Sequence, residues 1–219
     1  MLCKKKGGLW ISVVFGILVA LGVFNQSHGT TPKLTHFNDM TIEVRGQGTP
    51  LIFIPGLNSG RQTFSETCKH FKKQYQCHLV QLPGFAGLPA TKTTDNFLVA
   101  QRDALIHYLQ KHAQEKVTLV GHSLGGTLSL MIALKAPELI EQLVIVDALP
   151  FYAAIQNPSL TAELVRPQAE QMRSMMNNQS QSDYQKNAAA QLHGMSNDPA
   201  RMPLLLEWSS TSDRATTTQ

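Results

Sequence analysis

Cysteine is scarce in this sequence, three residues in 219, and the scarcity narrows the options. Cys3 precedes an apolar run and is badly placed for lipid attachment. Cys68 and Cys77 come with no Cys-x-x-Cys and no second ligand pair, the pattern a structural zinc site needs, so no metal centre is expected. They fall late in one expected helix and at the start of the next strand. Two readings stay open there: a disulfide in an oxidising compartment, or two separate buried thiols. Charge is sparse too. Charged residues make up 16% of the chain, with 19 Lys+Arg against 15 Asp+Glu. Without Lys4, Lys5 and Lys6 the balance is 16 to 15. No basic stripe with interleaved aromatics appears. The high overall pI therefore partly reflects the N-terminus and gives no reason to expect a nucleic-acid partner. An internal repeat and a long low-complexity linker are also lacking.

The N-terminus reads as a leader. Lys4 to Lys6 form a positive segment, Leu9 to Phe24 is apolar and uncharged, and Ser27-His28-Gly29 supplies small residues for cleavage. Residues 1–29 are therefore expected to be a signal peptide that exports the chain to the periplasm or beyond. An uncleaved membrane anchor is the alternative. Against it, the apolar run spans about 24 Å as a helix, short of the ~30 Å hydrocarbon core. Residues 30–219, about 190 in number, suit one domain with a sizeable core.

Within that domain, strand and helix patterns alternate. Met40 to Arg45 alternates apolar and polar residues, as a half-buried strand does. Leu51 to Ile54 is a short continuous apolar run, expected of a strand covered on both faces. A helix is expected over 61–75, a strand over 77–82, and a long helix from Thr94-Asp95 to about His112. A strand from Val117, a helix over 124–136 and a strand over 143–147 follow. The pattern predicts an α/β fold with a mostly parallel sheet between helices, its core over 33–150. Catalytic groups are expected at the carboxyl ends of the strands, where Leu57, Gly84, Ser123 and Asp147 fall.

The Val117 strand ends in Gly121-His122-Ser123-Leu124-Gly125, and the next helix begins at once. A serine on so sharp a turn projects its hydroxyl above the sheet edge. Side chains two positions before and after it would strike the neighbouring strand and helix; Gly121 and Gly125 remove them. Gly126 lets the helix lie close to the sheet. Ser123 then sits at a helix N-terminus, where free N–H groups favour developing negative charge.

Three motifs together, over about residues 40 to 150, resemble the secreted α/β-hydrolase fold family. Ile54-Pro55-Gly56-Leu57 is similar to its oxyanion loop, with proline where histidine is usual. Leu82 to Gly87 resembles the Pro-Gly-x-Gly turn after the following strand. Gly121 to Gly126 resembles the nucleophile elbow. The resemblance implies Ser123 as catalytic nucleophile and the backbone N–H groups of Leu57 and Leu124 as the oxyanion hole. It implies hydrolysis of an ester, thioester or amide of a small-molecule or acyl substrate, with no metal and no organic cofactor. Membrane contact is implied only if the leader is retained. Residues from about 151 to 210, with Met172, Met175 and Met176, resemble the family's helical lid; ordinary helix packing is the alternative. His122 is expected to pack rather than to act as base.

The family's triad order is serine, acid, histidine. After Ser123 the acids include Asp147 and Asp198, and the only histidine is His193. Two expectations follow. Either the base and the last strands of the fold lie beyond Gln219, making this a fragment, or His193 reaches Ser123 from the helical segment. A non-catalytic binding protein on the same fold is the alternative function.

Overall fold

The computed structural model describes residues 32–92 and 96–219. The expected leader, and the start of the helix expected at Thr94-Asp95, lie outside the described residues. The chain opens with β1 (Lys33–Phe37), β2 (Met40–Gly46) and β3 (Thr49–Ile54), then a 3-10 turn (Arg61–Phe64) running into α1 (Ser65–Phe71). β4 (Tyr75–Gln81), α2 (Phe97–His112), β5 (Val117–His122), α3 (Leu124–Lys135) and β6 (Ile140–Val146) follow. The rest is helical: α4 (Ala153–Gln156), α5 (Ala162–Asn178), α6 (Gln181–Met195), α7 (Met202–Thr211) and α8 (Arg214–Thr217).

The six strands form one sheet in the order β1-β2-β4-β3-β5-β6. β4, β3, β5 and β6 run parallel, and β1 and β2 pair antiparallel at one edge. Helices cover both faces, so the central strands bury both. Ile52 and Ile54 join Leu119, Leu128, Ile132, Leu105 and Leu109 on the face under α2 and α3. Leu51 and Phe53 join Phe64, Cys68, Cys77 and Leu79 on the face under α1. This two-sided burial is why Leu51 to Ile54 is apolar without alternation. Each fully buried large side chain here contributes about 1.5–3 kcal/mol. β6 differs. Among the described residues it pairs only with β5, and Val144 and Val146 are exposed.

Several boundaries differ from the sequence expectations. The helix expected over 61–75 is shorter, because β4 already begins at Tyr75. β1 was not expected. α8 is capped by Asp213, which accepts from Thr216 N at 2.7 Å. The Ser212 hydroxyl donates to the Trp208 carbonyl and accepts from Ala86 N. Cys68 and Cys77 are free, buried thiols, and Cys77 Sγ donates to the Cys68 carbonyl at 3.7 Å. Among the described residues no helix is long and apolar enough to cross a membrane, and no cluster of three metal-ligating side chains occurs.

Candidate active site

β5 runs between β3 and β6 and stops at His122; α3 starts at Leu124. Ser123 makes the whole turn between them at φ 52, ψ −121. For a non-glycine residue that conformation costs on the order of 1–3 kcal/mol, so the surroundings must hold it. They do so through its backbone. Ser123 N donates to Val146 O at 2.9 Å, and Ser123 O accepts from Gly126 N and Thr127 N at 2.9 and 3.1 Å. Its hydroxyl has no hydrogen-bond partner among the described residues and stays half-buried.

The two glycines flanking the serine are where the elbow is tightest. A Cβ on Gly121 would strike the Gly125 carbonyl and come within 2.5 Å of Ser129 Oγ. One on Gly125 would strike the Ile54 carbonyl and come within 2.6 Å of the Pro55 carbonyl. α3 thereby sits directly on the end of β3. Leu124 opens α3, so its N–H has no acceptor within the helix.

Residues 55–60 leave β3 beside the elbow. A Cβ on Gly56 would lie 3.0 Å from His122 Nδ1 and 3.2 Å from Ser123 Cβ, so the loop rests on both. His122 Nδ1 is buried with no partner. Asn58 takes a left-handed conformation, φ 55, and Ser59 N closes a turn onto Gly56 O at 3.2 Å. That turn leaves Leu57 exposed at its tip.

Gln81, at the end of β4, ties this loop to the neighbouring one, and sequence reasoning missed it. Its side chain accepts from Arg61 N at 2.9 Å and donates to Phe85 O at 2.9 Å. It is 3% exposed. The available signal was a glutamine closing a buried strand just before Pro83-Gly84. Glu43 adds a second anchor, its carboxylate accepting from Arg45 at 2.6 Å and Arg61 at 3.1 Å. The Arg45 guanidinium holds the Glu43 carboxyl below its ordinary range; partial burial opposes this and Arg61 reinforces it. α8 closes the far side, Thr217 Oγ1 donating to Asn58 Oδ1 at 2.7 Å.

Leu57 and Leu124 line one cavity of about 1000 Å³. Phe85, Phe97 and Met131 make its apolar wall, and α5 contributes Arg166, Arg173 and Asn177. Of the helices in the 151–210 region, α5 alone lines this cavity among the described residues. The remaining candidates stand apart. His193 is exposed on α6 and does not line the cavity. Asp147 is exposed just after β6, at φ 48. Asp198 is paired with Arg201 at 3.3 Å. No histidine is hydrogen-bonded to Ser123 among the described residues.

A mostly parallel sheet with a strained serine between strand and helix, beside a cavity that Leu57 and Leu124 line, is the architecture of one large family. Its model, the alpha/beta hydrolase fold, matches residues 49–201. The chain belongs to the α/β-hydrolase fold family. Among curated relatives, the pimeloyl-[acyl-carrier protein] methyl ester esterase of Aeromonas salmonicida is 29% identical over 117 residues, 52% of this chain and 44% of that protein. The protein of the same name from Shewanella sp. is 32% identical over 127 residues, 58% of this chain and 44% of the relative. The chain therefore spans less than half the length of these curated relatives. Among solved structures, a hydrolase from Pseudomonas aeruginosa superposes with a TM-score of 0.67 at 12% identity, over 86% of this chain and 71% of that one. An epoxide hydrolase from Bacillus megaterium gives 0.64 at 14% identity, over 85% and 70%. At such identities the likeness is one of fold.

Proposed function

We propose that this chain carries the nucleophile and oxyanion hole of a serine hydrolase that cleaves esters of acyl substrates. The observation that carries the reading is the strained Ser123 between β5 and α3. Its hydroxyl is unbonded among the described residues, and the next residue, Leu124, lines a cavity that Leu57 also lines. The chemistry follows from that arrangement. Ser123 Oγ attacks the ester carbonyl and gives its proton to a histidine. The carbonyl oxygen becomes an oxyanion, held by the N–H groups of Leu57 and Leu124, fixed dipoles that need no reorganisation as charge develops. The intermediate collapses, the C–O bond to the alcohol breaks, and the alcohol leaves with the proton. Water then attacks the acyl-serine by the same route and releases the acid.

The base in this reading is a histidine; none is hydrogen-bonded to Ser123 among the described residues, and His193 is exposed on α6 away from the cavity. Ester rather than amide cleavage is favoured because the named relatives are methyl ester esterases. The test is hydrolysis of p-nitrophenyl butyrate by the full-length gene product. Ser123→Ala is expected to cut kcat/KM by at least about a thousandfold, the scale on which triad members act. Turnover unchanged by that substitution refutes the proposal. The absence of a histidine at Ser123 among the described residues favours a second reading, a binding protein that keeps the fold. The same assay separates the two, because a binder turns over nothing.

A further inference from the structure

We propose that the cavity takes acyl esters whose chain carries a second, anionic group at its far end, a carboxylate or a phosphate held by Arg166 and Arg173. The ester half of this proposal rests on the hydrolase reading above; the anion half rests on the two arginines alone.

Arg166 and Arg173 are seven residues apart on α5, two helical turns, so they project from one side of the helix. Both line the cavity that Leu57 and Leu124 also line. No aspartate or glutamate side chain lines it among the described residues. Neither guanidinium is in an ion pair or a hydrogen bond among the described residues, although the charge of Arg166 is felt by Glu163 one turn back. Arg214 shows what a structural arginine looks like in this protein. It donates to the carbonyls of Asn177, Gln179 and Ser180 and stacks on the Tyr184 ring at 4.2 Å. Among the described residues Arg166 and Arg173 have no such partners, and their planar donor forks match carboxylate or phosphate oxygens. Phe85, Phe97 and Met131 line the same cavity, a surface suited to methylene groups. The cavity thus brings together backbone donors for a carbonyl, apolar surface for an alkyl chain and two cations for an anion.

The test separates binding from turnover. The Ser123→Ala form of the full-length protein is titrated calorimetrically with monomethyl suberate and with dimethyl suberate. These match in length and differ in one negative charge. The half-ester is expected to bind about tenfold more tightly, with the advantage shrinking at high salt. Adding Arg166→Gln and Arg173→Gln is expected to erase the preference while leaving the diester's affinity unchanged. A methyl alkanoate with a terminal phosphate tells phosphate from carboxylate: whichever anion gains more is the group recognised. Equal affinity for half-ester and diester, or a preference that survives both glutamines, overturns the inference. Wild-type turnover of the diester is read in parallel. Turnover without an anion preference sinks this inference alone. An anion preference without turnover upholds it and sinks the hydrolase reading.

Discussion

His78 places an acid-sensitive group in the middle of the sheet. It lies on β4 between Val44 of β2 and Ile52 of β3 and is 4% exposed. Its Nε2 faces Gln76 Oε1 at 3.0 Å, and its Nδ1 faces the Tyr108 hydroxyl at 2.7 Å. The Gln76 oxygen can only accept, so the network assigns the proton to Nε2 and makes Tyr108 the donor to Nδ1. Burial pushes His78 down to about 4 from an ordinary 6.5, and the charge of His112, whose ring lies 4.6 Å from that of Tyr108, adds to the shift. The unfolded chain therefore takes up the proton first. The stabilisation is whole above pH 6.5 and is lost as pH falls from 6.5 through about 4. At about 1.4 kcal/mol per pH unit, the loss between neutrality and pH 4.5 comes to roughly 2.5 kcal/mol. His78→Gln keeps a hydrogen-bonding side chain but cannot titrate. Urea midpoints at pH 7 and pH 4.5, converted with a common m-value, should show wild type losing roughly 2.5 kcal/mol more than His78→Gln. Every other titrating group is common to both proteins and cancels. Equal acid losses in the two proteins refute the reasoning.

Two further predictions probe the machinery around Ser123. Gly125→Ala pushes a methyl group into the Ile54 and Pro55 carbonyls, backbone atoms that cannot swing aside. It should lower the urea midpoint by the equivalent of about 1–3 kcal/mol or more, whereas Gly194→Ala, with open space around it, should leave the midpoint unchanged or raise it. Gln81→Leu strands the Arg61 N–H and the Phe85 carbonyl, at about 1–3 kcal/mol for each buried group left without a partner. Its melting temperature should fall, and its reaction with a fluorophosphonate should slow, because the loop bearing Leu57 loses its tether.

Legibility followed burial. Strands covered on both faces, such as β3 and β5, announced themselves as short apolar runs, and the elbow glycines betrayed a turn too tight for a side chain. β1 was not legible. Its residues are largely exposed, Leu34 included, and only Phe37 is buried, so neither alternation nor an apolar run marks it. The sheet order was hidden as well, since β4 inserts between β2 and β3 through pairings no local pattern encodes. The tie from Ser212 to Ala86 and Trp208 was hidden too, because those contacts exist only once the chain has folded. Gln81 was missed for the same reason: its partners lie on two different loops. The cavity arginines carry no motif of their own; only their place on the same cavity as Leu57 and Leu124 marks them.

The central claim concerns one oxygen atom, Ser123 Oγ, without a hydrogen-bond partner among the described residues at the turn between β5 and α3. Its most direct test is to treat the full-length protein with a fluorophosphonate probe, digest it, and find the modified residue by mass spectrometry. The account predicts a single adduct on the peptide containing Ser123, abolished both by Ser123→Ala and by unfolding the protein before the probe is added. An unmodified Ser123 peptide, or an adduct that forms equally well on unfolded chain, contradicts it.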